Sequence, residues 1–334
     1  VEEVEKVMEM IEIVEYDTEI KIDNIKVTFR DAGHILGSSS IEIFDPTSPR
    51  LRGASKGTTI VFSGDLGNTP EDIVRPTTFI EKADFVVMET TYGDKDHPLE
   101  DVSAIIQKEI NTIEQKGGVL LIPAFSIERT QEILHRIHHL KRDGKIKEDT
   151  PVFMDSPMAI RATEIFKAFK QFYNEELRQH KSDPFDFEGL VITPEAKDSK
   201  EIIAAHEPKV IIAGSGMMSG GRILHHAANY LSSSSTRLLF VGYQAEETLG
   251  REILEGARHV NINRKSIKVS AHIGEVASMS SHADQKKLVT WLEHIQGVKK
   301  VFLIHGDTQQ RAVFAQKIQG KEVVIPKLGE TYKL

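Results

Sequence analysis

The sequence predicts an α/β protein in two parts, with strand-rich segments at both ends and an alternating strand–helix unit between them. Three observations predict this. Apolar runs at residues 59–62, 85–88 and 301–304 each lead into polar residues, as buried strands do. From about residue 99, helical spacing and short apolar runs alternate, the pattern of a parallel sheet with crossover helices. At 334 residues, the chain is also too long for one small domain.

The elements follow in order. Residues 2–9 read as a charged helix. Residues 20–29 alternate apolar and polar side chains, as one half-buried strand does, and residues 40–44 continue the pattern. Val102, Ile105, Ile106, Ile110 and Ile113 fall at helical spacing, and Gly117 and Gly118 close that helix. A strand over 119–122 and a helix over 127–140 come next, then a strand near Val152 and a helix over 160–177. A strand over 210–213 enters a glycine-rich turn and a helix over 222–231, followed by a strand over 238–241. Residues 259–272 read as a hairpin, 284–295 as a helix, 301–304 as a strand and 309–318 as a helix. The expected division is therefore 1–94 with 277–334 as one domain, enclosing an inserted domain over 95–276.

Composition narrows the chemistry. A hydrophobic fraction of 40% with 28% charged residues predicts a soluble protein with a real core. There is no cysteine, which excludes disulfide scaffolds, thiolate zinc sites and cysteine nucleophiles. Any metal site must use His, Asp and Glu, and 14 histidines are available. The net charge of −8 offers no general attraction for polyanions, so an RNA substrate would need local positive charge or metal. No apolar run approaches the ~20 residues of a membrane span, and no signal peptide is visible. A cytoplasmic protein with no membrane partner is the expectation. The chain starts at Val1 rather than Met, which reads as the start of a fragment.

Four predicted strands end in residues that bind metals or move protons. They lead to Asp31-Ala32-Gly33-His34, Ser63-Gly64-Asp65, Glu89-Thr90-Thr91-Tyr92-Gly93 and His305-Gly306-Asp307. Sites in α/β proteins gather beyond the carboxyl ends of strands. Imidazole and carboxylate are donors that zinc or manganese accepts. Any one of these clusters alone reads better as a turn. Four in equivalent positions favour a site, without naming an enzyme.

The ordered set does more. Gly33-His34-x-x-Gly37-Ser38, Phe62-Ser63-Gly64-Asp65, Glu89-Thr90-Thr91-Tyr92-Gly93, Ser281-His282-Ala283-Asp284 and Ile304-His305-Gly306-Asp307 together resemble the metallo-β-lactamase half of β-CASP ribonucleases. Pro123-Ala124-Phe125-Ser126 with Arg129, Asp155-Ser156-Pro157-Met158, Gly214-Ser215-Gly216-Met217 with Gly220-Gly221-Arg222, and Gly242-Tyr243-Gln244 with Thr248-Leu249-Gly250-Arg251 extend it over nearly the whole chain. That group includes the nuclease of mRNA 3′-end processing, its archaeal and bacterial relatives, and RNase J. The resemblance implies a metallo-β-lactamase αββα sandwich, N-terminally incomplete here, carrying an inserted α/β β-CASP domain with a parallel sheet.

The resemblance also implies roles. His34 binds one metal, Asp65 bridges two, and His305 binds the second. Glu89 stands behind the site, and His282 approaches the scissile phosphate and protonates the leaving oxygen; read without the family, His282 is a helix-entry residue. Two zinc ions per complete site, roughly 3.5–4 Å apart, would clamp the phosphate. Ser126, Arg129, Ser215, Gly216 and Arg222 in the inserted domain, with Ser281 just beyond it, are expected to meet RNA phosphates, because amides at helix N-termini bind them. A tight turn is the plain reading of the same glycines. No run of aromatics suggests a stacking platform.

One part of the family pattern is absent. No His-x-His-x-Asp-His occurs in the chain, so only part of the ligand set is present and weak or no zinc binding is expected of it alone. The lost segment would also supply strands, and bare edges invite association, which allows a homodimer. His135, His138 and His139 lie on a predicted helix and read better as its solvated face than as a metal site, and His225-His226 reads as part of a helix. Three functions compete. The first is zinc-dependent hydrolysis of single-stranded RNA, endo- or 5′ exonucleolytic, at the cleft between the two domains. The second is a catalytically silent scaffold that binds RNA or a nuclease. The third, a small-molecule metallohydrolase, is disfavoured by the inserted domain and the His282 motif.

Overall fold

A computed structural model describes residues 2–48, 57–68, 72–179 and 183–334. The chain divides into two compact units: Val1–Glu71, Arg75–Asp96 and His282–Leu334 form the first, Asp72–Val74 and His97–Ser281 the second. The chain therefore crosses between units after Asp96 and again between Ser281 and His282.

The first unit opens with α1 (Glu2–Glu9) and lays down β1 (Glu19–Ile22), β2 (Ile25–Asp31), β3 (Ser39–Asp45), β4 (Thr58–Phe62) and β5 (Phe85–Met88). The single strand expected over 20–29 is a hairpin instead, with β1 antiparallel to β2. Asp23 turns the chain at φ 53°, a conformation that a short polar side chain tolerates. Asp23-Asn24 places two polar residues in succession and shifts the apolar positions from 20 and 22 to 25, 27 and 29, a break in the alternation that marks the turn.

The second unit follows with α2 (Val102–Lys116), β6 (Val119–Pro123), α3 (Arg129–Arg142), β7 (Val152–Asp155), α4 (Pro157–Ala168), α5 (Glu175–Gln179), β8 (Leu190–Ile192), α6 (Ala196–Ala204), β9 (Lys209–Ala213), α7 (Arg222–Tyr230), β10 (Arg237–Phe240), α8 (Leu249–Leu254), β11 (His259–Ile262), β12 (Lys265–Lys268) and β13 (His272–Glu275). The helix expected over 160–177 is broken. Phe169 leaves helical geometry, and Asn174 accepts a bond from Leu177 N–H at 2.8 Å that starts α5 afresh. The expected hairpin holds as β11 and β12, while His272 begins a strand of the main sheet. The chain then returns to the first unit as α9 (Gln285–His294), β14 (Lys300–Leu303), α10 (Thr308–Ala315) and β15 (Glu322–Val324).

The first unit holds one seven-stranded sheet in the order β1-β2-β3-β4-β5-β14-β15. Its early strands pair antiparallel and β4, β5, β14 and β15 pair parallel. Leu288, Trp291 and Leu292 of α9 and Phe314 of α10 close one face over Val61, Val86, Met88, Val301 and Leu303. Among the described residues no second sheet covers the other face, where Ile60 and Val87 are half-buried and Phe62 is 38% exposed.

The second unit is built on six strands in the order β13-β10-β6-β9-β7-β8, every neighbouring pair parallel. Every residue of β6, β7 and β9 is buried, as expected where helices cover both faces. Even Lys209 in β9 is buried, its ammonium donating to the carbonyls of Ile202 and Ala205 at the end of α6. A cation there also offsets the negative end of the helix. Among the described residues no helix is long and apolar enough to cross a membrane.

Asp155, the last residue of β7, ties this unit together. It is wholly buried and accepts from Thr193 Oγ1 at 2.9 Å, Arg222 Nη1 at 2.7 Å and Ser199 Oγ at 2.6 Å, with His226 Nε2 at 2.7 Å. Burial pushes its carboxyl up, but the bonds from His226, Ser199, Arg222 and Thr193 outweigh burial and hold it down at about 2. A carboxyl held below its unfolded value stabilises the fold above that unfolded value and loses the effect as pH falls through the folded one. We predict that this group contributes about 2 kcal/mol at neutral pH. That contribution should vanish between about pH 4 and pH 2. Thermal unfolding followed across that window should show a shallower acid decline in Asp155→Asn than in the parent chain, from a lower starting stability.

Candidate metal and proton-transfer site

Four side chains converge at one edge of the first sheet because their strands run the same way. β4, β5 and β14 are parallel, and β2 shares their direction through two antiparallel steps. Their carboxyl ends therefore present His34, Asp65, Glu89 and His305 side by side. Gly64 makes the approach to Asp65 possible. It sits at φ +58°, and a Cβ there would lie 2.6 Å from the carbonyl oxygen of Ser39, so a side chain is excluded both by strain and by contact.

Asp65 is the hub. One carboxylate oxygen lies 3.8 Å from His34 Nε2 and the other 3.5 Å from His305 Nε2. His34, Asp65 and His282 offer donor atoms that all lie within 4.8 Å of one another. The His34 and His282 rings are 4.4 Å apart by centroid, and those of His282 and His305 5.7 Å apart. Imidazole nitrogens around a half-exposed carboxylate suit a divalent metal with open positions, so the residues present fit a metal ion.

His305 reaches the group from a strained backbone. Its φ is 47°, uncommon for a residue with a side chain. Its carbonyl accepts from Thr90 N–H at 3.0 Å, and Thr90 Oγ1 donates to the Ile304 carbonyl at 3.0 Å. The Thr90-Thr91 turn after β5 thus fixes the His305 loop after β14.

Glu89 lies beneath, 1% exposed. Its oxygens accept from Leu66 N–H at 2.6 Å and Thr91 N–H at 3.3 Å, and both lie 3.1 Å from His282 Nδ1. Burial pushes this carboxyl up, but the His282 bond and charge, with those from Leu66 and Thr91, hold it below its ordinary value. An ionised carboxylate on Nδ1 keeps the proton there in the neutral ring and leaves Nε2 as the working nitrogen. The His282 backbone is anchored too: it bridges to Gly67, Ala283 N–H donates to Leu66 at 2.8 Å, and Asp284 accepts from Lys287 N–H to start α9.

Of three supporting residues, Ser63 and Thr90 lie inside the quoted motifs and Ser40 outside them, and the roles of all three do not show in the sequence. Ser63 Oγ accepts from Glu89 N–H at 3.0 Å, Ser40 Oγ donates to Ser63 O at 2.6 Å, and Thr90 acts as described. Their partners sit on neighbouring strands, so only the pairing of those strands reveals them.

The expected phosphate contacts belong to the second unit and form no single cluster. Ser126 and Ser215 follow β6 and β9 as half-buried hydroxyls, with Ser126 Oγ 3.2 Å from Ser156 Oγ, and Gly216 is buried beside them. Arg129 is 4% exposed and donates to Glu132 and, at 2.7 Å, to Ser281 Oγ. Arg222 donates to Asp155 and to the carbonyls of Thr193 at 2.6 Å and Pro194 at 2.8 Å. Both guanidinium groups are engaged within the unit.

Comparison with known proteins agrees with this architecture. A family model described as the β-CASP domain matches residues 130–253. One described as the Zn-dependent metallo-hydrolase RNA specificity domain matches residues 266–326. The chain is 33% identical to a ribonuclease of Thermus thermophilus over 98% of its own length and 74% of that protein's. It is 31% identical to an RNase J-like protein of Methanocaldococcus jannaschii, over 95% of its length and 72% of the relative's. Transcription termination factor FttA of Pyrococcus abyssi is 28% identical over 89% of this chain, which spans 46% of that factor. A metallo-β-lactamase-fold unit interrupted by an α/β insertion, together with a match to the Thermus ribonuclease over 98% of this chain and 74% of that protein, shows that this chain belongs to the β-CASP family of metal-dependent nucleases.

Proposed function

We propose that this protein hydrolyses phosphodiester bonds of single-stranded RNA, using two zinc ions held around Asp65. The observation that supports this most directly is the pair of histidines on opposite oxygens of one carboxylate. His34 would hold one ion and His305 the other, with Asp65 shared. Bound zinc would stabilise phosphate charge and acidify a water molecule.

The chain's own residues do the rest. Hydrolysis adds water across the P–O bond, and the departing oxygen needs a proton. His282 supplies it from Nε2, because Glu89 fixes Nδ1 and so fixes the ring. Glu89 does not reach the substrate in this scheme; it is a positioning residue that favours the imidazolium. Ser126 and Ser215 are the half-buried hydroxyls we assign to neighbouring phosphates.

Two predictions follow from the site. With the protein as its gene encodes it, zinc should support cleavage of a labelled single-stranded RNA. His282→Ala should lower the rate by about 10²- to 10⁴-fold, and Asp65→Ala should lose bound metal as well, read by elemental analysis. RNA binding without bound metal or cleavage would instead identify a silent scaffold and sink the proposal. Separately, Glu89→Gln should lower kcat by roughly 10- to 100-fold with little change in KM and a shifted pH profile. A change in KM alone would mean that Glu89 does not act through His282.

A further inference from the structure

We propose that Phe125 is a stacking platform for one base of single-stranded RNA, held beyond the carboxyl ends of β6 and β10. The proposal rests on the ribonuclease reading above and adds to it a contact with the substrate's bases.

The topology of the second sheet creates the place. β6 and β10 are parallel neighbours. From β6 the chain crosses through α3 toward β7, on one side; from β10 it passes through α8 toward β13, on the other. Connections that diverge from adjacent strands open a crevice at their carboxyl ends, where ligands of open α/β sheets bind. Phe125 lies two residues past the end of β6, and Gly242 two residues past the end of β10.

The ring is exposed, yet it sits in a built seat. Phe125 is 42% exposed, whereas Phe153 and Phe240, which pack the core of the same sheet, are 8% and 0% exposed. One edge of the ring rests where Gly216 has no side chain: a Cβ there would lie 2.8 Å from Phe125 Cδ2. Gly242 flanks the same edge, at 3.8 Å by the same measure. Buried Gln244 joins both glycines by donating from Nε2 to the carbonyls of Gly216 and Gly242, each at 3.0 Å. The backbone is fixed as well, since the Phe125 carbonyl accepts from Thr130 Oγ1 at 2.8 Å and Thr130 N–H at 3.2 Å. A held aromatic ring with free surface is ready to bind without an ordering cost.

The neighbouring chemistry suits a nucleotide. Ser126, next in the chain, carries a hydroxyl 3.2 Å from that of Ser156. A flat apolar ring beside two hydroxyls matches a base stacked next to its own sugar–phosphate. Stacking uses the π-face that every base has, so this contact holds RNA in register without reading its sequence.

The test is equilibrium binding of a single-stranded RNA of about ten nucleotides, with a chelator present to prevent cleavage. Phe125→Ala and Phe125→Leu should each weaken binding by on the order of tenfold or more, with unchanged melting. Phe125→Trp should keep the affinity, and the emission of the introduced indole should be quenched by RNA; Trp291 is buried and lies in the other unit. Replacing one base with an abasic unit should weaken binding to the parent protein but not to Phe125→Ala. If the parent binds RNA and all these variants bind equally well, stacking is wrong while the nuclease reading stands. If the parent binds no RNA, that reading falls and the stacking proposal falls with it.

Discussion

The first unit depends on the buried carboxylate of Glu89. A charge taken out of water costs several kcal/mol unless it is paired and hydrogen-bonded. Here the partners come from three separate stretches of chain: Leu66 after β4, Thr91 after β5, and His282 at the return from the second unit. Glu89 can be buried only when all three are in place. The chain that comes back after a long excursion is thereby required to deliver an imidazole to one position, and the acid that orients the site also checks its assembly. Loss of the His282 partner would leave Glu89 a buried charge short of a bond, so function and folding are coupled at this point.

Asp155 in the second unit uses the same device to a different end. It too ends a buried parallel strand and holds a histidine by one nitrogen. Yet both members of that pair are wholly buried, and Arg222, Ser199 and Thr193 complete the shell. At Glu89 the histidine keeps a fifth of its side-chain surface open and faces two other imidazoles. The carboxylate–histidine pair alone therefore does not mark a reactive centre. What separates the two is access, and the neighbours that the second ring nitrogen can meet.

The sequence is legible where side chains that converge follow strand ends. His34, Asp65, Glu89 and His305 stand out because each follows a short apolar run, and parallel strands bring such ends together without further information. Order among weak motifs adds His282, which no local pattern would select. Partners distant in the chain are not legible in this way. Arg129 and Arg222 both open helices, and nothing local shows that their guanidinium groups also meet Ser281 and Asp155. At Asp23-Asn24 the alternation breaks and changes parity, so that turn is legible, whereas the break after α4 is hidden because Phe169 and Phe172 continue the apolar spacing that signals a helix.

Those engaged cations bear on how an acidic protein can hold a polyanion. Around the parallel sheet, Arg237 pairs with Glu109, Arg136 with Asp72, and Lys141 and Lys209 donate to backbone carbonyls. With Arg129 and Arg222, these are the cations nearest the core, and each already holds the fold together. Exposed positive charge gathers elsewhere: residues 256–274, spanning the β11–β12 hairpin, carry Arg258, Arg264, Lys265 and Lys268 and no carboxylate. Charge of that kind attracts at range but is screened beyond about 10 Å in ordinary salt. Contacts at the carboxyl ends of the sheet must then draw on groups that need no counter-charge, such as hydroxyls, backbone amides and an aromatic face. Their strength does not decline with salt as ion pairing does. A chain of net charge −8 can thus bind RNA closely while remaining a poor general binder of polyanions.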